Sequence, residues 1–260
     1  MVSQLFPAGI YPILDLDACE ARSLKPQEVV AGWKEYGWAP YQLRAKNLSA
    51  PEYAALAESL HQVWMNCHVD DHSTNRWLSR PAIIANDFLE VAWHHSEWFC
   101  GIHLGQTDLV NLSPREEQML LQILESGGIA GCSTHSAEQF TEALASDAIH
   151  WSYVALGPVY PTNSKTNSRD QNSALGLQEL AEIMADSGFH SLFSQGRGNR
   201  TAVLIGGMTP SGWQDVLSAV ASLDNKPEMA LVPAVIASIL DSAEGWAATL
   251  DRNRTGESRV

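Results

Sequence analysis

Tyr153-Val-Ala-Leu-Gly-Pro-Val-Tyr-Pro-Thr-Asn-Ser-Lys165 decides how the rest of the chain reads. Its first four residues are a short apolar run ended by Gly157 and Pro158, the pattern of a strand buried on both faces. Beyond it come two hydroxyls, Thr162 and Ser164, and one ammonium, Lys165. No core requires that set. In a loop fixed by Gly and Pro, hydroxyls and backbone N–H groups can donate to a phosphate while Lys adds a point charge. Taken alone, the string reads more readily as a solvated loop. Its weight comes from other strands that end in the same way.

Working outward, seven further short apolar runs alternate with helical spacing. Towards the N-terminus lie residues 9–14, ending in Asp15, then a strand running into Gln42-Leu-Arg-Ala-Lys46, then 81–85, 100–104 and 129–132. Towards the C-terminus lie 201–205 and 229–232. Helices are expected over 25–36, 51–64, 88–98, 176–187, 210–223 and 234–250, and behind Ser113-Pro114 and Ser136-Ala-Glu-Gln139, where cap residues and first-turn acids mark a helix start. Residues 66–80 and 188–200 have no clear period and read as inserted surface loops; 251–260 reads as a polar tail.

Continuous apolar strands imply a parallel sheet covered on both faces. Eight of them, with helices between, favour a closed eight-stranded β/α (TIM) barrel over an open doubly wound sheet. The 260 residues suit one such domain of about 250 residues. In a barrel the C-terminal ends of all strands open onto one rim, so the polar clusters after strands two to seven would share a mouth.

The formal charge of −14 argues against nucleic-acid binding and against attachment to an anionic membrane. An anionic substrate would therefore have to be held by local cations. Four cysteines without C-x-x-C spacing, no secretory leader and no bilayer-length apolar run point to a reduced, cytoplasmic protein.

Together, Gln42-Leu-Arg-Ala-Lys46, Asn86-Asp87, His103-Leu-Gly-Gln-Thr-Asp108, Ser133-Thr-His-Ser136, Gly157 to Lys165 and Ile205-Gly-Gly207 make the chain resemble the thiamine phosphate synthases, from near Gly9 to the eighth strand. Each motif alone is weak; their order, spacing and strand-end placement are specific. The resemblance implies coupling of a pyrimidine diphosphate to a thiazole phosphate, giving thiamine phosphate and pyrophosphate. It implies Mg²⁺ on Asp87 and Asp108, a cation usually bound by one or two carboxylates plus phosphates and water. It implies that Gln42, Arg44 and Lys46, alternating along an extended segment, bind the diphosphate with Lys165. Asn86 and Ser133 would hydrogen-bond the pyrimidine. Thr162, Asn163, Ser164, Gly207, Val232 and Pro233 would surround the thiazole phosphate. Arg44, Lys46 and Lys165 would carry the catalytic charge. The partners implied are small phosphorylated molecules, and a homo-oligomer is compatible with them.

Simpler readings compete at each position: a helix N-cap for Asp87 or Asp108, a solvated strand edge for Gln42 to Lys46, a turn hydroxyl for Ser133, and a tight turn for Gly206-Gly207. Three departures from the family pattern stand out. Ala45 occupies a position that is often acidic, and Phe88 one that is often Arg. Pro233 follows Val232 where the family usually has Ser at the end of strand eight; a missing N–H there would cost the phosphate site about 0.5–1.5 kcal/mol. Two rival functions remain: a thiazole tautomerase on the same barrel, which needs no pyrophosphate machinery, and a non-catalytic phosphate-sensing barrel. His94-His95 with Cys100 and His103 does not suggest a transition-metal site, because adjacent helical histidines diverge.

Overall fold

The computed structural model describes residues 4–68, 75–162, 174–186, 201–224 and 229–255. Its strands are β1 (Tyr11–Asp15), β2 (Tyr41–Arg44), β3 (Ile83–Asn86), β4 (Phe99–Leu104), β5 (Ile129–Thr134), β6 (Tyr153–Leu156), β7 (Thr201–Ile205) and β8 (Ala230–Val235). They close in sequence order, β1 to β8, as a parallel β/α barrel. The reason lies in the side chains: β1, β3, β4 and β6 are buried at every position. A strand with no wet face must be covered on both sides. The expected fold class is the one observed. The chain contacts divide into two compact units, Leu5–Gly131 and Cys132–Val260 with the first four residues.

In the first unit, Ala50–Asn66 and Pro114–Glu125 are the longest helices, and each begins with a capping box. Ser113 N–H donates to Glu116 Oε2 at 2.8 Å while Glu116 N–H donates to Ser113 Oγ at 3.3 Å. Two orphan donors of the first turn are thereby satisfied. The stretch expected to be a solvated insertion over 66–80 is otherwise where it is described. Asn75 and Trp77 are buried, and Arg76–Ser79 forms a 3-10 turn. Trp77 donates its indole N–H to Leu5 O and receives one from Trp64 on its carbonyl, both at 3.0 Å. Two large apolar rings that each find a polar partner pull the segment onto the helical layer. The helix expected over 88–98 ends early, at His94, and a turn follows.

In the second unit, β6 and β7 run side by side from Tyr153↔Thr201 to Leu156↔Leu204. Their ends are packed backbone on backbone. A Cβ on Gly157 would lie 2.1 Å from Ile205 O, so no other residue fits without displacing β7. β8 extends further than expected, through Pro233 to Val235, with Leu204↔Pro233 and Ile205↔Ala234 in register. The single helix expected over 234–250 is instead two, Ala237–Asp241 and Ala243–Thr255. Ser242 separates them, its Oγ accepting from Gly245 N–H at 3.2 Å. Helix also replaces the expected tail as far as Thr255. The insertion read over 188–200 lies outside the described residues.

Candidate functional site

Each unit carries its own set of candidate strand-end residues. The first set begins on β2. Gln42 is buried and donates its amide to Tyr11 Oη at 3.0 Å. Arg44 is largely buried and donates Nη1 to Asp15 Oδ2. The alternation that joined Lys46 to these two ends with the strand: Lys46 is exposed, in the turn after it. The strand pleat therefore positions Gln42 and Arg44 but not Lys46. Ala45, between Arg44 and Lys46, is buried.

Asn86 and Asp87 follow at the end of β3. Tyr53, on the helix Ala50–Asn66, donates its hydroxyl to Leu43 O at 2.8 Å and accepts Asn86 N–H at 3.1 Å. One buried oxygen thus bonds the backbones of two neighbouring strand ends. Its ring stacks on Phe88 at 4.0 Å, which gives the aromatic residue at that position a partner. Asp87 takes φ 64°, in the left-handed region, and donates its N–H to His103 O at 3.0 Å. A short polar side chain tolerates this conformation better than most.

The helix-cap alternative for the two aspartates does not hold. The helix after Asp87 is capped by Phe88 without a side-chain bond, and the one carrying Asp108 (Gln106–Val110) by Gly105. Instead the carboxylates converge. A Cβ on Gly105 would meet Asp108 Oδ2 at 2.8 Å and Asp87 Oδ1 at 4.0 Å. Loss of water and then the hydrogen-bonded Asp108 carboxyl push Asp87 up to about 6, with Gly105 N–H opposing. Because Asp87 as a residue is exposed, the like charge is the cause the geometry supports more directly. Among the described residues no cluster of three or more potential metal ligands is present. Two adjacent carboxylates of this kind fit a hard cation that completes its shell with phosphate and water.

The second set is built largely from backbone. Ser133 lies within β5, half-buried, rather than beyond it. Thr134 donates its hydroxyl to Ala155 O at 2.8 Å. His135 Nδ1 lies 2.8 Å from Gly157 O; a carbonyl can only accept, so Nδ1 carries the proton. The loop after β6 is tied to the end of β7 by Val159 N–H to Ile205 O at 2.8 Å and Tyr160 N–H to Gly206 O at 3.1 Å. Tyr160 also donates its hydroxyl to Gly212 O at 2.8 Å. Gly207 has φ 57°, and a Cβ there would lie 2.6 Å from Pro161 O.

Thr162 is half-buried at the edge of this loop; Asn163, Ser164 and Lys165 lie outside the described residues. Val232 and Pro233 are buried inside β8, not at its end. Reading the sequence alone left Tyr11, Asp15, Tyr53 and Tyr160 unassigned. Only Asp15, at a strand end, carried any signal.

Residues 10–223 match the sequence family described as thiamine monophosphate synthase. The chain is 28% identical over 216 residues to the thiamine-phosphate synthase of Leptospira biflexa serovar Patoc, covering 83% of this chain and 86% of that one. It is 29% identical over 182 residues to that of Haloarcula marismortui, covering 69% and 75%. Among solved structures, thiamine phosphate pyrophosphorylase from Pyrococcus furiosus superposes with a TM-score of 0.60 at 21% identity, over 98% of this chain and 96% of that one. That likeness bears on the fold.

Proposed function

Since the chain belongs to the thiamine monophosphate synthase family, a family of transferases, we propose that it joins 4-amino-2-methyl-5-hydroxymethylpyrimidine diphosphate to 4-methyl-5-(2-phosphoethyl)thiazole. The products are thiamine phosphate and pyrophosphate. The observation that carries this reading is the Asp87–Asp108 pair over Gly105. A thiazole tautomerase needs no such pair.

In this reading the C–O bond to pyrophosphate breaks, the aminopyrimidine ring delocalises the cation, and the thiazole nitrogen attacks it. Arg44, Lys46 and Lys165 hold the charge that builds on the leaving oxygens. Gln42, Asn86 and Ser133 orient the pyrimidine. Thr162, Asn163, Ser164 and Gly207 hold the thiazole phosphate; Val232 and Pro233 belong to the same subsite from within β8, where Pro233 has no N–H to donate. Asp87 and Asp108 would hold Mg²⁺, which when bound neutralises phosphate charge.

No protein nucleophile is required, and three of the four cysteines are poor ones. Burial pushes Cys132 up to about 12 and Cys19 to about 11, and raises Cys100 as well. A thiol so raised is not a thiolate at neutral pH. All four cysteines are free, which supports a reduced, cytoplasmic setting. Among the described residues no helix is long and apolar enough to cross a membrane.

The test is product formation from the two substrates, with Mg²⁺ and with chelator, in wild type, Asp87→Ala and Lys165→Ala. Metal-dependent thiamine phosphate that collapses in both variants is the expected result. Binding of both substrates without product would sink the reading.

A further inference from the structure

β1 carries no residue assigned to a substrate, yet two of its side chains hold the polar side chains of β2. Tyr11 Oη accepts from Gln42, and Asp15 Oδ2 accepts from Arg44 Nη1. The strands are parallel with Asp15 opposite Arg44, so both side chains leave neighbouring strand ends. They are nearly buried, at 6% and 11% exposure. The second carboxylate oxygen of Asp15 is engaged too. Oδ1 accepts Ala18 N–H at 2.9 Å, at the start of the helix Leu16–Glu20. A carboxylate held through both oxygens keeps one orientation and passes it to the guanidinium.

A buried ion pair contributes little net stability compared with apolar packing of the same volume. Its value here is geometric. A guanidinium carries five N–H donors in a planar fork, and Asp15 engages Nη1 while the rest of the fork remains to meet an anion. In a chain of net charge −14, a cation aimed at a diphosphate needs to be fixed rather than merely present.

We propose that Asp15 is a positioning residue for Arg44, setting the guanidinium plane so that its remaining donors meet the departing diphosphate. This rests on the coupling activity proposed above, and it extends the site from β2 to β1.

Asp15→Asn is the informative variant, because asparagine caps a helix about as well as aspartate but lacks the charge that pins Arg44. KM for the pyrimidine diphosphate should rise about tenfold and KM for the thiazole phosphate should stay within about twofold, as expected for losing one charge-assisted contact. Calorimetric affinity for pyrophosphate with Mg²⁺ should fall by a similar factor. Unchanged constants for both substrates would show Asp15 to be only a cap and overturn the proposal. In an Arg44→Ala background, Asp15→Asn should add nothing; a further tenfold loss there would overturn it as well. That double variant leaves no unpaired buried cation, so its pyrophosphate affinity against Arg44→Ala alone carries the test if Asp15→Asn does not fold. A wild type that binds pyrophosphate but forms no thiamine phosphate would defeat the coupling reaction and leave the calorimetric comparison standing. A wild type that does not bind pyrophosphate would defeat both.

Discussion

The strand ends of the first unit and those of the second solve different problems. At the ends of β2, β3 and β4 the chemistry lies in side chains: Arg44 pairs with Asp15, and Asp87 lies against the like-charged Asp108. At the ends of β6 and β7 the fold supplies backbone and glycine, with Gly157, Gly206 and Gly207 packed where a Cβ would strike a neighbouring main chain or proline. Fixed side-chain charges suit a leaving group on which charge develops. A close-packed turn suits a phosphate already charged, which can be held by N–H groups at short range. The first region should therefore fail chemically when altered, and the second structurally.

The largest effect is expected from Asp87→Ala and Asp108→Ala. Each should lower kcat/KM about 10³-fold while leaving thermal stability near wild type, since preorganised charge at a reacting centre is worth that much. A Tm loss matching the activity loss would erase the contrast between the regions. Gly207→Ala should do the reverse. A left-handed φ and a 2.6 Å approach to Pro161 O together cost about 3 kcal/mol, visible as a lower urea midpoint, with a raised KM for the thiazole phosphate. Gly127→Ala sharpens this result: it shares the positive φ but has nothing within 4 Å, so only about 1 kcal/mol should be lost.

Tyr53→Phe tests whether the first region also depends on backbone. Leu43 O and Asn86 N–H would lose their shared hydroxyl, costing about 1–3 kcal/mol in denaturant unfolding. Ser113→Ala, whose side chain bonds Glu116 and no candidate site residue, should cost about 1 kcal/mol through its capping box, with activity unchanged.

Much of this is legible in the sequence. The apolar runs marked the strands to within a few residues, and Ser113-Pro114 and Ser136 marked their helix starts. The misreadings have identifiable causes. Pro233 looked like a stop because proline removes a ladder donor, yet β8 continues two residues beyond it. Residues 75–80 looked like a solvated loop because burial of Asn75 and Trp77 depends on distant carbonyls of Gly37 and Leu5. Lys46 looked aligned with Arg44 because alternation was carried past the strand end.

The sequence by itself determined the β/α order, the barrel and the family, because buried parallel strands and their connecting helices write themselves as local periodicity. The tertiary structure alone decided which groups hold which. The pairing of Asp15 with Arg44, the approach of Asp87 to Asp108 over Gly105, and the two strand ends bonded by Tyr53 all join residues far apart in the chain. Such contacts follow from register and helix packing, and a local pattern carries neither.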